Sequence, residues 1–139
     1  MMRLNGLVTA FRTLTVLPVP GREGQDLASA LPWFPLVGLV LGALLALGGQ
    51  LWGLAVEGWS AGGAALLLIA WVLLTRGLHL DGLADWADAL GCRPEREIRL
   101  AVMKDPGLGA FGGVSLVLVL VSKWAALERI LDGLTGNSW

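Results

Sequence analysis

Asp81, Asp85 and Asp88 follow one another at spacings of four and three residues in LTRGLHLDGLADWADALG, residues 73–90. On a helix turning about 100° per residue, the three carboxylates fall within about 60° of arc. Like charges stacked this closely repel, and desolvation beside a membrane raises the cost. Something positive should offset them. Mg2+ suits the task, because it takes oxygen ligands and keeps waters and substrate phosphates in its shell. Arginine and lysine side chains alone can also balance the acids. The structural alternative is a solvated helix face with Asp81 as N-cap. Two features weigh against it. The face is uniformly acidic, and it lies between Arg76 and the basic run Arg93, Arg96, Arg99 and Lys104. Carboxylates for a metal beside cations for phosphates suit phosphoryl transfer, whose developing charge must be neutralised.

Three further features carry chemistry. His79, the chain's single histidine, precedes Asp81 by two residues. If the helix already includes it, it projects away from the aspartates; if the helix starts near Asp81, it sits on the entering turn and can reach them. A structural, hydrogen-bonded histidine is the plainer reading. KDPGLGAFGG, 104–113, supplies Lys104 and Asp105 and glycines at 107, 109, 112 and 113. Glycines there let backbone N–H groups approach a phosphate at a helix start. The GxxxxGK[ST] pattern of a P-loop is absent, and helix packing explains the same glycines. Lys123 falls inside an apolar run, where it either pairs with a membrane carboxylate or snorkels to the far interface. Cys92 has no second cysteine for a disulfide and lacks the companions of a zinc site or thiol nucleophile. It reads as a bystander.

The elements that must hold these groups are membrane helices. The chain has 139 residues, 55% hydrophobic and 15% charged, with a mean hydropathy of +0.71. Soluble domains carry about 25% charge. The net charge of −1 gives no basic field for nucleic acid. The fold class expected is all-α, a polytopic transmembrane bundle forming one domain over 1–139. Spans are expected over about 31–56, 58–75 and 107–127, each long enough to approach the 30 Å of hydrocarbon. Trp33 and Trp52 mark the ends of the first. Gly38/Gly42 and Gly109/Gly113 form GxxxG pairs that allow close packing, though simple crowding among Leu and Ala also explains them. The short turn around Glu57 makes an antiparallel hairpin of the first two spans. Residues 94–104 read as a short helix with Pro94 at its first position and Glu95 facing Arg99, and 76–106 as a whole as the acidic motif with its connector.

The N-terminus does not read as a secretory signal, since Arg12 interrupts its apolar run. Leu4, Leu7, Val8, Phe11 and Leu14 recur at helical spacing within 1–20. They describe either an amphipathic helix on the membrane surface or a helix packed on the domain. Pro18 and Pro20 end it. Lys and Arg crowd the N-terminal segment (Arg3, Arg12, Arg22) and 76–104, and are absent from the first turn. The positive-inside rule puts both basic segments in the cytoplasm.

GLHLDGLADWADALG followed by VMKDPGLGAFGGVSLVLVLVSKWAAL resembles the cobalamin synthase family, the adenosylcobinamide-GDP ribazoletransferases. FRTLTVLPVPG and LPWFPLVGLVLGALL resemble its opening region, in the same order. The likeness covers about residues 8–130 and its combination of motifs is specific. It implies a multi-pass inner-membrane enzyme of vitamin B12 assembly. Such an enzyme joins adenosylcobinamide-GDP to α-ribazole, or its 5′-phosphate, with Mg2+, and releases GMP. On that resemblance Asp81, Asp85 and Asp88 would hold the metal, one of them serving as base, with His79 a further catalytic candidate. Arg76, Lys104, Asp105, Gly107, Gly109 and Lys123 would meet the substrate. A weaker likeness is to the CDP-alcohol phosphotransferases, but Leu83, Ala84 and Asp85 follow Asp81–Gly82 where their pattern requires an arginine.

Family members are longer, with further spans. A truncated or shortened form is therefore expected, one that works within a homo-oligomer or beside other cobalamin-assembly enzymes. A different class of function is cation transport along the intramembrane acids and Lys123; a third is a non-catalytic scaffold. Transport requires acids deep inside a span, whereas these follow directly on Thr75, at the membrane boundary.

Overall fold

The computed structural model describes residues 4–24, 26–91 and 95–134. Arg3, Cys92, Arg93, Pro94 and the end of LDGLTGNSW lie outside them, and with them the expectations for Cys92 and Pro94. Six α-helices make up the described chain: α1 Leu4–Leu14, α2 Phe34–Ala55, α3 Ser60–Leu74, α4 Leu78–Gly91, α5 Arg96–Val102 and α6 Ala110–Leu134. Two 3₁₀ turns, Leu27–Ser29 and Leu31–Trp33, lead into α2. This is an all-α membrane bundle.

Two helical stretches are long and apolar enough to cross a bilayer, Leu27–Ala55 and Ala110–Leu134. The expected second span differs. Its helix, α3, has 15 residues and a length of about 22 Å, short of about 30 Å of hydrocarbon. It reaches a span's length only together with α4, and the two are bent 86° apart at the break between them. The cause is local. Arg76 and Gly77 both take positive φ, 53° and 67°, which ends α3 and redirects the chain.

The α2–α3 hairpin forms as expected. Gly48 and Gly49 approach Leu67, and the Trp52 indole N–H donates to the Trp59 carbonyl at 3.0 Å. Helix α6 packs antiparallel along α3, with Leu131 against Gly49 and Gly63 and the Trp124 indole N–H on the Ala61 carbonyl. The GxxxG expectation is corrected here. A side chain at Gly38, Gly42 or Gly113 would meet nothing within 4 Å. Glycines that bring helices together are Gly48, Gly49, Gly63 and Gly91, together with Gly109 and Gly112.

At the opposite end of the bundle, α1 packs on the start of α2. Ala10, Ala30, Val37 and Leu41 form a buried core, flanked by Phe11, Leu14, Trp33, Phe34 and Leu74. The α1 helix thus packs on the domain through Gly6, Val8 and Ala10. Trp33, at the start of the first span, is partly buried and packs against this core. Residues 15–24 then run as a strap back to α3, where the Val16 N–H donates to the Leu74 carbonyl at 2.8 Å. The N-terminal segment and the acidic helix thus share one end of the bundle.

Candidate active site

Helix α4 begins at Leu78, with the Asp81 N–H donating to the Gly77 carbonyl at 2.9 Å. Asp81 therefore stands in the first turn and is not the N-cap. Its carboxylate and that of Asp85, one turn on, make no hydrogen bond or ion pair among the described residues. Asp81 lines a cavity of about 660 Å3 at the α3–α4 break, together with Thr13, Thr75, Arg76, Leu108 and Leu116. Arg76 also lines a neighbouring cavity of about 830 Å3 beneath the strap. A cation and a carboxylate without a partner thus face one space, walled by α1, α3, α4 and α6.

Asp88 departs from the expected triad. Its Oδ2 accepts from the Gly109 N–H and its Oδ1 from the Gly112 N–H, both at 2.8 Å. Both oxygens are spent on the N-terminus of α6, where orphan amides and the helix dipole attract an anion. No group of three His, Cys, Asp or Glu side chains that could hold a metal exists among the described residues.

The same bonds correct the expected phosphate cradle. The anion at this helix start is the protein's own carboxylate. The remaining glycine amides are also taken: Gly107 N–H donates to Asp105 Oδ1 at 2.9 Å, and Gly113 N–H to the Gly109 carbonyl. Asp88, Asp105, Gly107 and Gly109 instead line a smaller cavity of about 370 Å3, whose Leu108 is shared with the Asp81 cavity. Lys104 is exposed on the turn leaving α5.

With this geometry in place, comparison with known proteins is decisive: the profile of cobalamin-5-phosphate synthase matches residues 6–137. The chain belongs to that family. A protein of Chlorobium phaeobacteroides named adenosylcobinamide-GDP ribazoletransferase is 52% identical over 128 residues, 92% of this chain and 51% of the relative. The protein of the same name from Chlorobaculum tepidum is 50% identical over 127 residues. That of Novosphingobium aromaticivorans is 42% identical over 136 residues. The chain spans about half the length of these curated relatives. No solved structure matches it.

In this cobalamin-5-phosphate synthase family member, Asp85, Lys104, His79 and Lys123 do not line the described cavities. Because α4 already includes His79, the imidazole points away from the aspartate face, and its ring lies 6.2 Å from that of Trp71. Lys123 places Nζ 4.2 Å from the centre of the same indole. The expected carboxylate partner is replaced by an aromatic face, which holds a cation where water is scarce. Lys123 also stands 13 residues into α6, about 20 Å from its start at 1.5 Å per residue.

Sequence reasoning missed Thr13, Thr75 and Leu108 as cavity walls. None is of a type that signals chemistry. Arg76, already expected to meet the substrate, occupies the turn that ends α3. Its left-handed backbone costs about 1 kcal/mol. We expect Arg76→Gly to leave thermal stability in detergent unchanged or raised by up to about 1 kcal/mol, while weakening binding of inorganic pyrophosphate. A loss of stability would show that the guanidinium is structural instead.

Proposed function

We propose that this chain carries the catalytic centre of a transferase of cobalamin assembly. It joins adenosylcobinamide-GDP to α-ribazole, or to α-ribazole 5′-phosphate, and releases GMP. The observation that carries the reading is the cavity at the α3–α4 break, where Arg76 and Asp81 face one another's space. The family and the names of the relatives supply the substrates.

The residues present fit Mg2+ in a reduced form. Mg2+ is commonly bound by one or two carboxylates, with waters and substrate phosphates completing its shell. Asp81 and Asp85, one turn apart and without partners among the described residues, are the pair that would hold it; Asp88 is committed elsewhere. Bound there, Mg2+ would neutralise charge on the diphosphate oxygens. Arg76 holds the diphosphate across the cavity, and Lys104, exposed on the turn after α5, is a second cation for the substrate phosphates. The ribose hydroxyl oxygen bonds to the phosphorus bearing the cobinamide arm. The bond from that phosphorus to the bridging oxygen breaks, and GMP leaves with the electron pair. The hydroxyl proton passes to a carboxylate oxygen of the Asp81–Asp85 pair.

The positive-inside rule orients the protein with its N-terminus and residues 76–106 on the cytoplasmic side of the bacterial inner membrane. The enzyme works as a homo-oligomer or in a complex with other cobalamin-assembly enzymes. The direct test uses protein in lipid nanodiscs with Mg2+, adenosylcobinamide-GDP and α-ribazole. Release of GMP that requires both the acceptor and Mg2+ is expected; no release from this chain, alone or with its neighbours in the pathway, overturns the reading.

A further inference from the structure

We propose that the cavity beneath the strap is a nucleoside subsite, which takes the guanosine end of the diphosphate substrate. This rests on the diphosphate reading of the Asp81 cavity. The strap is built, not slack. Arg12 stitches it to α1, donating from Nη1 to Glu23 Oε1 at 3.0 Å and from Nη2 to the carbonyls of Val19 and Gly21 at 3.1 and 3.3 Å. Gly24 N–H closes the far end on Thr9 Oγ1 at 2.8 Å. Leu17 N–H donates to Thr15 Oγ1, and Val16 N–H anchors the near end to α3. Pro18 and Pro20 have no N–H to offer a neighbouring strand, so the strap stays a wall and does not recruit a partner strand.

The space it walls is about 830 Å3, within the range of small-ligand sites. Its surface is of mixed character. Val16 through Pro20 present an aliphatic wall, against which a planar base lies flat. Glu23 stands at the edge, and only its Oε1 is engaged by Arg12. The second oxygen suits adjacent ring N–H and amino donors, as guanine has and a benzimidazole lacks. Arg76 lines this cavity and the Asp81 cavity alike. A linear molecule fits that order of groups. Its base lies on the strap, its phosphates pass Arg76, and its phosphorus under attack reaches Asp81. The acceptor nucleoside then enters from the Asp81 side.

The test starts from unmodified protein in nanodiscs, irradiated with 8-azido-GDP and mapped by mass spectrometry. Label is expected within residues 15–24, displaced by GMP and not by α-ribazole. Label elsewhere overturns the subsite, and displacement by α-ribazole alone assigns the strap to the acceptor and overturns the guanosine assignment. Glu23→Gln should raise the Kd for GMP about tenfold, the loss of one charge-assisted hydrogen bond, with the Kd for inorganic pyrophosphate unchanged. Val16→Trp, outside the Arg12 stitching, should block labelling with the helical circular dichroism intact. Unaltered GMP binding in both variants overturns the proposal. Mg2+-dependent pyrophosphate binding that is lost in Asp81→Asn reports on the diphosphate reading separately. Its failure with strap labelling retained would sink that reading and leave the nucleoside subsite standing.

Discussion

Asp81→Asn is expected to lower GMP release at least about 100-fold, the scale on which one preorganised electrostatic group contributes to a transition state. The substitution keeps the shape of the side chain and removes its charge. Nothing in the fold depends on that charge directly, because the carboxylate has no partner among the described residues and only the Asp81 backbone bonds to Gly77. Its one structural contribution is a negative charge in the first turn of α4, worth up to about 1 kcal/mol against the helix dipole. Activity and stability should therefore separate: a near-dead enzyme that melts within a few degrees of the parent. Asp85→Asn, on the same face but not lining the cavity, should fall about tenfold and require more Mg2+ for half-maximal rate. Purified variants assayed across a Mg2+ series give both numbers. An Asp81→Asn protein retaining more than a tenth of the parental rate removes this carboxylate from the chemistry.

The contrast with Asp88 shows what periodicity reveals and what it hides. Spacing alone puts all three acids on one face of α4, and the run that precedes them is apolar enough to name the membrane. Both are properties of neighbouring residues, readable along the chain. What a carboxylate touches across the bundle is not. Asp88 meets Gly109 and Gly112, 21 and 24 residues away, and no local pattern encodes that meeting. A weak signal existed: glycines at the first turn of α6 mark where another element can approach the backbone closely. Read alone, those glycines fit a phosphate equally well, since a phosphate and a carboxylate ask the same of a helix N-terminus. The 86° break had a similar ambiguity. A glycine after an apolar run fits the end of a span, but the left-handed backbone of both Arg76 and Gly77 turns that end into a sharp bend that aims α4 across α6. Lys123 was recognisable as anomalous, but its answer, Trp71, lies on another helix.

Asp88→Ala is the second large effect, and its signature is opposite to that of Asp81. Two charge-assisted hydrogen bonds of 2.8 Å disappear, leaving two amides at the α6 N-terminus without an acceptor. At about 1.5–3 kcal/mol for a bond to a charged group, the loss of stability should be on the order of 3 kcal/mol. Opening of the α6 start should then bring hydrogen exchange at Gly109 and Gly112 up roughly 100-fold. Asp88→Asn keeps one acceptor oxygen and turns an amino group toward the other amide, so it should recover less than half of the loss. Gly112→Ala approaches the same contact from the other side. A methyl there would run into the Asp88 carboxylate and stand 3.0 Å from the Ala84 carbonyl oxygen, forcing α4 and α6 apart at a cost of about 1–3 kcal/mol. In each case the loss should be the same with and without Mg2+, because the carboxylate binds amides and not metal. Activity should fall as well, through the displaced Asp105–Gly109 loop whose Leu108 walls the Asp81 cavity. If Asp88→Ala instead leaves melting and exchange unchanged and raises only the Mg2+ requirement, Asp88 is a metal ligand after all, and the clamp between α4 and α6 is not what holds the site in shape.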